Sequence, residues 1–245
     1  MGFSVQGKTA LVTGSNRGIG RAIVESLLSS GATKGYAAVR EPSKAQELVD
    51  AHPGKVEAIE IDLARPETIT AAASKATDVE LVVNNAGVLK MANPLASDAI
   101  ESLQFELEMN LFGLIRMAQA FAPVLKGNGG GAFVQLNSVA SIKNFADLAT
   151  YSASKAATYS ITQGLRDKLS EQGTAVLSVH PGPIATDMVA GTGMEGESPS
   201  IVGDGIVSAL ASGEFHFFAG TLATQLWSAY ESFARGVVEA SLAEG

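Results

Sequence analysis

The sequence predicts an α/β fold: a single domain over 1–245, built on a doubly wound parallel sheet with helices on both faces. Three observations predict it. Short aliphatic runs alternate with longer stretches of helical spacing, the pattern of strand–helix crossovers. The runs are continuously apolar rather than alternating, as strands covered on both faces are. No Pro- or Ser-rich linker and no internal repeat divides the 245 residues, a length that builds a sizeable core without covalent staples.

The elements follow in order. A strand over 9–13 runs into Thr13-Gly14-Ser15-Asn16-Arg17-Gly18-Ile19-Gly20 and then a helix over 20–29. Glycines at a strand-to-helix turn let the backbone approach a diphosphate, and the helix start offers free N–H groups and a favourable dipole. Glycines also serve tight turns, and three residues separate Gly14 from Gly18, where the common dinucleotide fingerprint has one. The second strand, 35–39, ends Ala38-Val39-Arg40 with no acid at its tip. An acid there would hold a ribose 2′-hydroxyl, whereas Arg40 together with Arg17 suits a 2′-phosphate. A helix over 43–51 and a third strand over 56–61 lead to Asp62-Leu63. A helix over 67–75 and a fourth strand over 81–83 lead to Asn84-Asn85-Ala86-Gly87. Both motifs sit at strand C-terminal ends, where open α/β sheets bind ligands, although Asn and Gly also favour turns.

The next helix, 98–125, carries Asn110 at its middle, and 127–131 is a loop. Ser138 ends the fifth strand, 132–136; its hydroxyl suits an oxygen that gains charge, or simply caps a turn. A helix over 150–171 opens with Tyr151-Ser152-Ala153-Ser154-Lys155. Positions i and i+4 share a face. A free phenol, with a pKa of about 10, exchanges protons poorly near neutrality. A neighbouring ammonium favours the phenolate, so the pair suits proton exchange with a carbonyl or an alcohol. The sixth strand, 175–179, leads to Pro181-Gly182-Pro183-Ile184-Ala185-Thr186. The segment 187–200 contains Gly191, Gly193 and Gly196 and suits a mobile substrate cover. A last short strand falls within 214–219. The helical segment 221–243 places Leu222, Leu226, Tyr230, Phe233 and Val237 on one side; it is expected to dock on the domain, wall the pocket or meet a partner subunit.

Composition excludes whole classes. Acidic residues outnumber basic ones, 25 to 17, for a net charge of −8; such a surface repels nucleic acid and anionic membranes. The chain has no cysteine, which removes disulfides, thiolate metal sites and cysteine nucleophiles. His52, His180 and His216 are too dispersed in sequence to suggest a metal cluster. No stretch approaches the ~20 apolar residues of a membrane helix, and the first residues do not read as a targeting signal. The expectation is a cytoplasmic protein with neither nucleic-acid nor membrane partners. The apolar content is mainly aliphatic, since only 6% of residues are aromatic; this fits helices packed on a sheet and a buried subunit interface.

Together, the motifs at 13–20, 84–87, 151–155 and 181–186, with Asn110 and Ser138, resemble the short-chain dehydrogenase/reductase family in its single-domain, Rossmann-like form. The resemblance covers nearly the whole chain, from Lys8 to about Ala219. It implies that Tyr151 is the general acid in reduction and the base in oxidation. Lys155 would lower its pKa and hold the nicotinamide ribose, Ser138 would orient the carbonyl, and Asn110 would hold a relay water through its backbone carbonyl. It implies NADP(H) as the preferred cofactor, with NAD(H) as the second choice. The cofactor site would comprise Gly14, Ser15, Asn16, Arg17, Gly18, Ile19 and Gly20, with Arg40, Asp62, Leu63, Asn84, Ala86, Gly87, Tyr151 and Lys155. Pro181, Gly182, Ile184 and Thr186 would complete it, Asp62 and Leu63 flanking the adenine and Ile184 and Thr186 fixing the carboxamide. The chain departs from the family at its end: Phe217-Phe218-Ala219-Gly220 stands where many members carry a glycine-rich tail that packs the tetramer. The expected homo-oligomer is therefore a dimer or a tetramer.

Leu89, Met91, Val139, Phe145, Leu148, Met188 and Met194 are the expected substrate pocket, with Lys143 and Asn144 the nearest polar candidates. Flexible methionines among apolar walls suit a small neutral aldehyde, ketone or alcohol. Two other functions stand beside an oxidoreductase: a non-catalytic cofactor-sensing or scaffold protein, and a dehalogenase-like lyase. The intact Asn110, Ser138, Tyr151 and Lys155 argue against the first. Lys155 and the glycines at 14, 18 and 20 argue against the second, because the related halohydrin dehalogenases carry an arginine for that lysine and a halide site in that turn.

Overall fold

The computed structural model describes residues 2–190 and 194–240. Its strands form one parallel sheet in the order β3-β2-β1-β4-β5-β6-β7: β1 Thr9–Thr13, β2 Lys34–Val39, β3 Val56–Glu60, β4 Leu81–Asn84, β5 Ala132–Leu136, β6 Ala175–Pro181 and β7 His216–Ala219. The helices are α1 Gly18–Ser29, α2 Gln46–Ala51, α3 Pro66–Lys75, α4 Ala99–Glu106, α5 Gly113–Gly127, α6 Ala149–Ser170, α7 Asp187–Ala190, α8 Ser200–Ser212 and α9 Thr221–Phe233.

Strand periodicity sorts the apolar runs onto two faces. Ala10, Val12, Leu81, Val83 and Val134 join one core with Ile23 and Leu27 of α1 and Ile206 of α8. The intervening Leu11, Val82 and Phe133 join the other with Ile69 of α3, Phe121 of α5 and Tyr159 of α6. Both parities are buried, so the runs had to be continuous. Each fully buried aliphatic or aromatic side chain contributes about 1.5–3 kcal/mol. Register aligns the central strands, Val12 with Val83 and Val83 with Val134. The chain reverses its direction of growth between β1 and β4, so a crevice opens at their C-terminal ends.

The helix expected over 43–51 is a 3-10 turn, Pro42–Ala45, followed by α2, and two further elements differ more. The helix expected over 98–125 is α4 and α5 joined by a π-helical turn, Leu107–Phe112, that contains Asn110. Such turns interrupt helices chiefly at functional positions, and apolar periodicity does not reveal them. In the last helical segment, Leu226 and Tyr230 do pack inward, with Trp227, against Val139, Phe218 and Ala223. Phe233 and Val237 instead face solvent. The fully buried Ala223 and Ala234 set the stripe about one residue further on, because small residues permit the closest approach. A π-helical turn, Ala234–Val238, follows α9. Beyond it, Arg166 donates to the carbonyls of Val238 and Glu239, and Glu239 Oε1 lies 2.7 Å from the buried His216 Nδ1. Residues 241–243 of the expected segment lie outside the described residues. Among the described residues, no helix is long and apolar enough to cross a membrane.

Phe121, with no exposed surface, sits where α5 meets the sheet. Phe121→Ala should cost about 3–5 kcal/mol of stability, read as a lower urea midpoint at unchanged denaturant slope.

Candidate active site

A cleft of ≈ 500 Å³ opens at the C-terminal ends of the central strands. The glycine turn forms one wall. Gly14 and Gly18 have φ of +65° and +53°, a region that disfavours side chains, and a Cβ on Gly20 would lie 2.2 Å from Gly14 O. The turn closes this tightly only with glycine. No side-chain cap and no acid occupies the first turn of α1, whose Gly18, Ile19 and Gly20 line the cleft; a helix start of this kind suits an anion. The Thr13 hydroxyl fastens the turn to the loop after β4, accepting from Asn85 N and Ala86 N, each at 2.9 Å. Asn85 Nδ2 donates back to Thr13 O at 2.8 Å.

Most of the expected residues share this cleft. Gly14, Asn16, Arg17, Gly18, Ile19, Gly20, Arg40, Leu63, Ala86 and Gly87 line its nucleotide side, and Ser138, Tyr151 and Lys155 its centre. Pro181, Gly182, Ile184 and Thr186 approach from the end of β6, and Leu89, Val139, Phe145, Leu148, Met188 and Met194 wall the remainder. Five expected residues lie outside the lining. The Ser15 hydroxyl is fully buried beneath the turn without a partner. The Asp62 carboxylate serves its own turn, accepting from Ala64 N at 3.0 Å and Arg65 Nε at 3.3 Å. Asn84 points into the sheet, where its Nδ2 donates to Gln135 Oε1 at 2.7 Å; its neighbour Asn85 lines the cleft instead. Met91 is 57% exposed, because the loop turns it to solvent. Asn110 stands behind the wall, accepting from Val88 N at 2.8 Å and donating to Val88 O and Ser154 Oγ, both at 3.0 Å.

The structure also adds wall residues that sequence reasoning missed, among them Val39, Ile61, Met109, Asn137 and Leu222. Their types are those of any core. Only strand parity, applied to the pair at 84–85, offered a usable signal.

Tyr151 and Lys155 are both buried on the first turns of α6. Lys155 Nζ donates to Leu136 O at 2.9 Å and lies 5.8 Å from the centre of the Tyr151 ring. Gly87 makes room for it, since a Cβ there would stand 3.0 Å from Asn110 Oδ1 and 3.5 Å from Lys155 Nζ. Burial dominates the electrostatics: it pushes Tyr151 up to about 12 and Lys155 down to about 8. The expected depression of the phenol is therefore corrected. Desolvation raises it most, the Ser138 hydroxyl draws it down, and the negative charge of Glu106 raises it further. Ser138 Oγ accepts from Ala140 N at 3.1 Å, which leaves its own hydrogen to donate.

Arg17 pairs with Asp187 of α7, both side chains being exposed. Arg40 has no ion-pair partner among the described residues. The expected cover begins with α7, and its Gly191 and Gly193 lie outside the described residues. Gly196 serves close packing rather than freedom, since its Cβ would lie 2.3 Å from Ala185 N. Ala185 N donates to Glu197 O at 2.8 Å, and Glu197 Oε1 accepts from Thr221 N at 2.6 Å. The far end of the cover is thus pinned to the start of α9.

Residues 8–195 match the family model described as short chain dehydrogenase, and the chain belongs to the short-chain dehydrogenase/reductase family. It is an oxidoreductase of that family. Among its relatives, a 3-oxoacyl-(acyl-carrier-protein) reductase of Vibrio cholerae is 32% identical over 190 residues, covering 76% of this chain and 77% of that one. A farnesol dehydrogenase of Aedes aegypti is 33% identical over 203 residues, covering 78% and 82%. A crystal structure of a short chain dehydrogenase from Burkholderia cenocepacia in complex with NADP superposes with a TM-score of 0.87 at 34% identity, covering 96% of this chain and 97% of that chain.

The buried lysine has a pH signature. Its folded-state pKa of about 8 lies below the ordinary 10.5, so between those values the unfolded chain holds more protons than the folded one. Its contribution is fully present above 10.5 and is lost as pH falls through about 8. Lys155→Met should remove that rise, seen as a wild-type-minus-variant difference in unfolding free energy that changes across this window.

Proposed function

We propose that the protein is an NADP(H)-dependent carbonyl reductase or alcohol dehydrogenase acting on a small neutral aldehyde, ketone or alcohol. The observation that carries this reading is one cleft that joins an uncapped glycine turn to Ser138, Tyr151 and Lys155. The residues fit a phosphorylated dinucleotide. The α1 start suits its diphosphate, and Arg40 stands at the tip of β2 with no acid in competition. The NADP-bound Burkholderia cenocepacia structure supports the same choice. When bound, the cofactor supplies the hydride in reduction and accepts it in oxidation.

The chain's own groups handle the proton. The Tyr151 hydroxyl donates to the substrate oxygen in reduction and takes the proton back in oxidation. The Ser138 hydroxyl donates a hydrogen bond to the same oxygen as charge gathers there. Lys155 is held on Leu136 O at 2.9 Å beside the phenol, whose pKa burial keeps high. Leu89, Val139, Phe145, Leu148 and Met188 exclude water. Lys143, whose Nζ donates to Asn144 O at 2.6 Å, is absent from the lining, so among the described residues Leu89, Val139, Phe145, Leu148, Met188 and Met194 bring no cation to an anionic substrate. The named activities of the Vibrio cholerae and Aedes aegypti relatives, a reductase and a dehydrogenase, agree with this chemistry. A homo-oligomer and a cytoplasmic location belong to the same reading. The exposed Ile100 and Phe105 of α4 and Phe112 of the π-helical turn after it support the first, and the absence of cysteine supports the second.

A panel of aldehydes and ketones with NADPH, followed by loss of the reduced cofactor, tests the proposal. Tyr151→Phe should lower turnover by at least ~100-fold with little change in NADPH affinity; full retained activity would sink the proton-donor role. Arg40→Ala should weaken NADPH binding by about 10-fold and leave NADH binding unchanged, as measured by fluorescence titration of both cofactors.

A further inference from the structure

Among the described residues, Glu106 is the only fully buried carboxylate. Burying an acid is costly unless its charge is matched. Glu106 ends α4, one turn before Asn110. Its Oε1 accepts from Lys90 N at 2.7 Å, while Asn110 Oδ1 accepts from Val88 N at 2.8 Å. Two side chains one turn apart thereby hold alternate residues of the loop after β4, and Gly87, Val88 and Leu89 of that loop line the cleft. A glutamine would serve Lys90 N equally well but would bring no charge.

The second carboxylate oxygen shows where that charge acts. Glu106 Oε2 is buried with no partner of hydrogen-bond geometry, and so is the hydroxyl of Thr150, the residue before Tyr151. Burial pushes the Glu106 carboxyl above the usual carboxylate range, and Lys90 from the loop with Thr150 and Lys155 from α6 draw it back toward the ionised form. Tyr151 and Lys155 both sense its charge in return. On the π-helical turn, Glu108 is engaged with Arg116 at 2.5 Å. Lys90 is exposed at the surface, so Lys155 is the cation that shares the desolvated interior with this carboxylate.

We propose that Glu106 is a positioning residue of the active site: ionised, it is the buried counter-charge that keeps Lys155 an ammonium beside Tyr151, while its other oxygen anchors the cleft loop through Lys90. This rests on the reading of Tyr151 and Lys155 as the reacting pair. A negative charge raises the pKa of every group near it, so its removal lowers both.

The test is the titration of Lys155 by NMR of side-chain-labelled lysine in the full chain, its signal assigned by its loss in Lys155→Met. Glu106→Gln should lower the Lys155 midpoint by ~0.5 pH unit or more, and Glu106→Asp, which keeps the charge, should restore at least half of that shift. The pH profile of kcat/KM for alcohol oxidation should move to lower pH in Glu106→Gln by a similar amount. An unchanged Lys155 midpoint in Glu106→Gln, or an equal shift in both variants, overturns the proposal. The NMR measurement needs no substrate, so it still decides the role of Glu106 if the carbonyl panel or Tyr151→Phe defeats the proposed function. Should Glu106→Gln fail to fold, the carboxyl carbon of Glu106 in the wild type decides: an ionised signal at neutral pH supports the proposal, and a protonated one overturns it.

Discussion

The cleft is organised around one ammonium that folding has taken out of water. Lys155 finds a carbonyl at the end of β5, at Leu136, and with the bonds of Thr158 and Thr162 to Asn137 it ties α6 to the sheet where β5 ends. The bond requires the loop after β4 to pass close by without a side chain at Gly87. The loop in turn is held from behind by Asn110 and Glu106 and from the front by Thr13. The glycine turn, the loop and the start of α6 are therefore positioned by one connected set of hydrogen bonds.

That arrangement has an electrostatic consequence. Desolvation drives the phenol of Tyr151 upward and the amine of Lys155 downward, so each resists its charged form. A buried pair in this condition works through polar neighbours that are already oriented, since an interior of low dielectric makes each such group count for more. Ser138 acts on the phenol, and the charge of Glu106 acts on both the phenol and the lysine. The apolar walls made by Phe145, Leu148 and Val139 keep the surroundings dry and so preserve these effects. The tail contributes indirectly: Leu226, Trp227 and Tyr230 back Val139 and Phe145, and the contact between Glu239 and His216 keeps that layer in place.

The nucleotide side is built differently, with backbone rather than side chains. An uncapped helix start and a turn that tolerates no Cβ at Gly20 present N–H groups that no substitution elsewhere can supply. Arg17 and Arg40, equivalent in the sequence, are not equivalent in the fold. Arg17 reaches across to Asp187 of the cover, so a 2′-phosphate would compete for it with an acid. Arg40 lines the cleft, and among the described residues no acid pairs with it.

By itself, the sequence determined the layers, the parallel sheet and the pairing of Tyr151 with Lys155 on one helix face. Continuous aliphatic runs such as Thr9–Thr13 leave no face of the sheet for water, and a Tyr–x–x–x–Lys spacing places two side chains on one side of any helix. Both facts are local, and local periodicity carries them. What only the tertiary structure decided were contacts between distant segments. It turned Asn84 into the sheet and Asn85 into the cleft, moved Met91 to the surface, and put Phe233 and Val237 outside the tail's buried stripe. It also made burial, rather than the lysine's charge, the dominant influence on Tyr151. The environment of Glu106 was equally hidden: its charge matters because Lys90, Thr150 and Lys155, from two separate segments, converge on it only after the chain has folded.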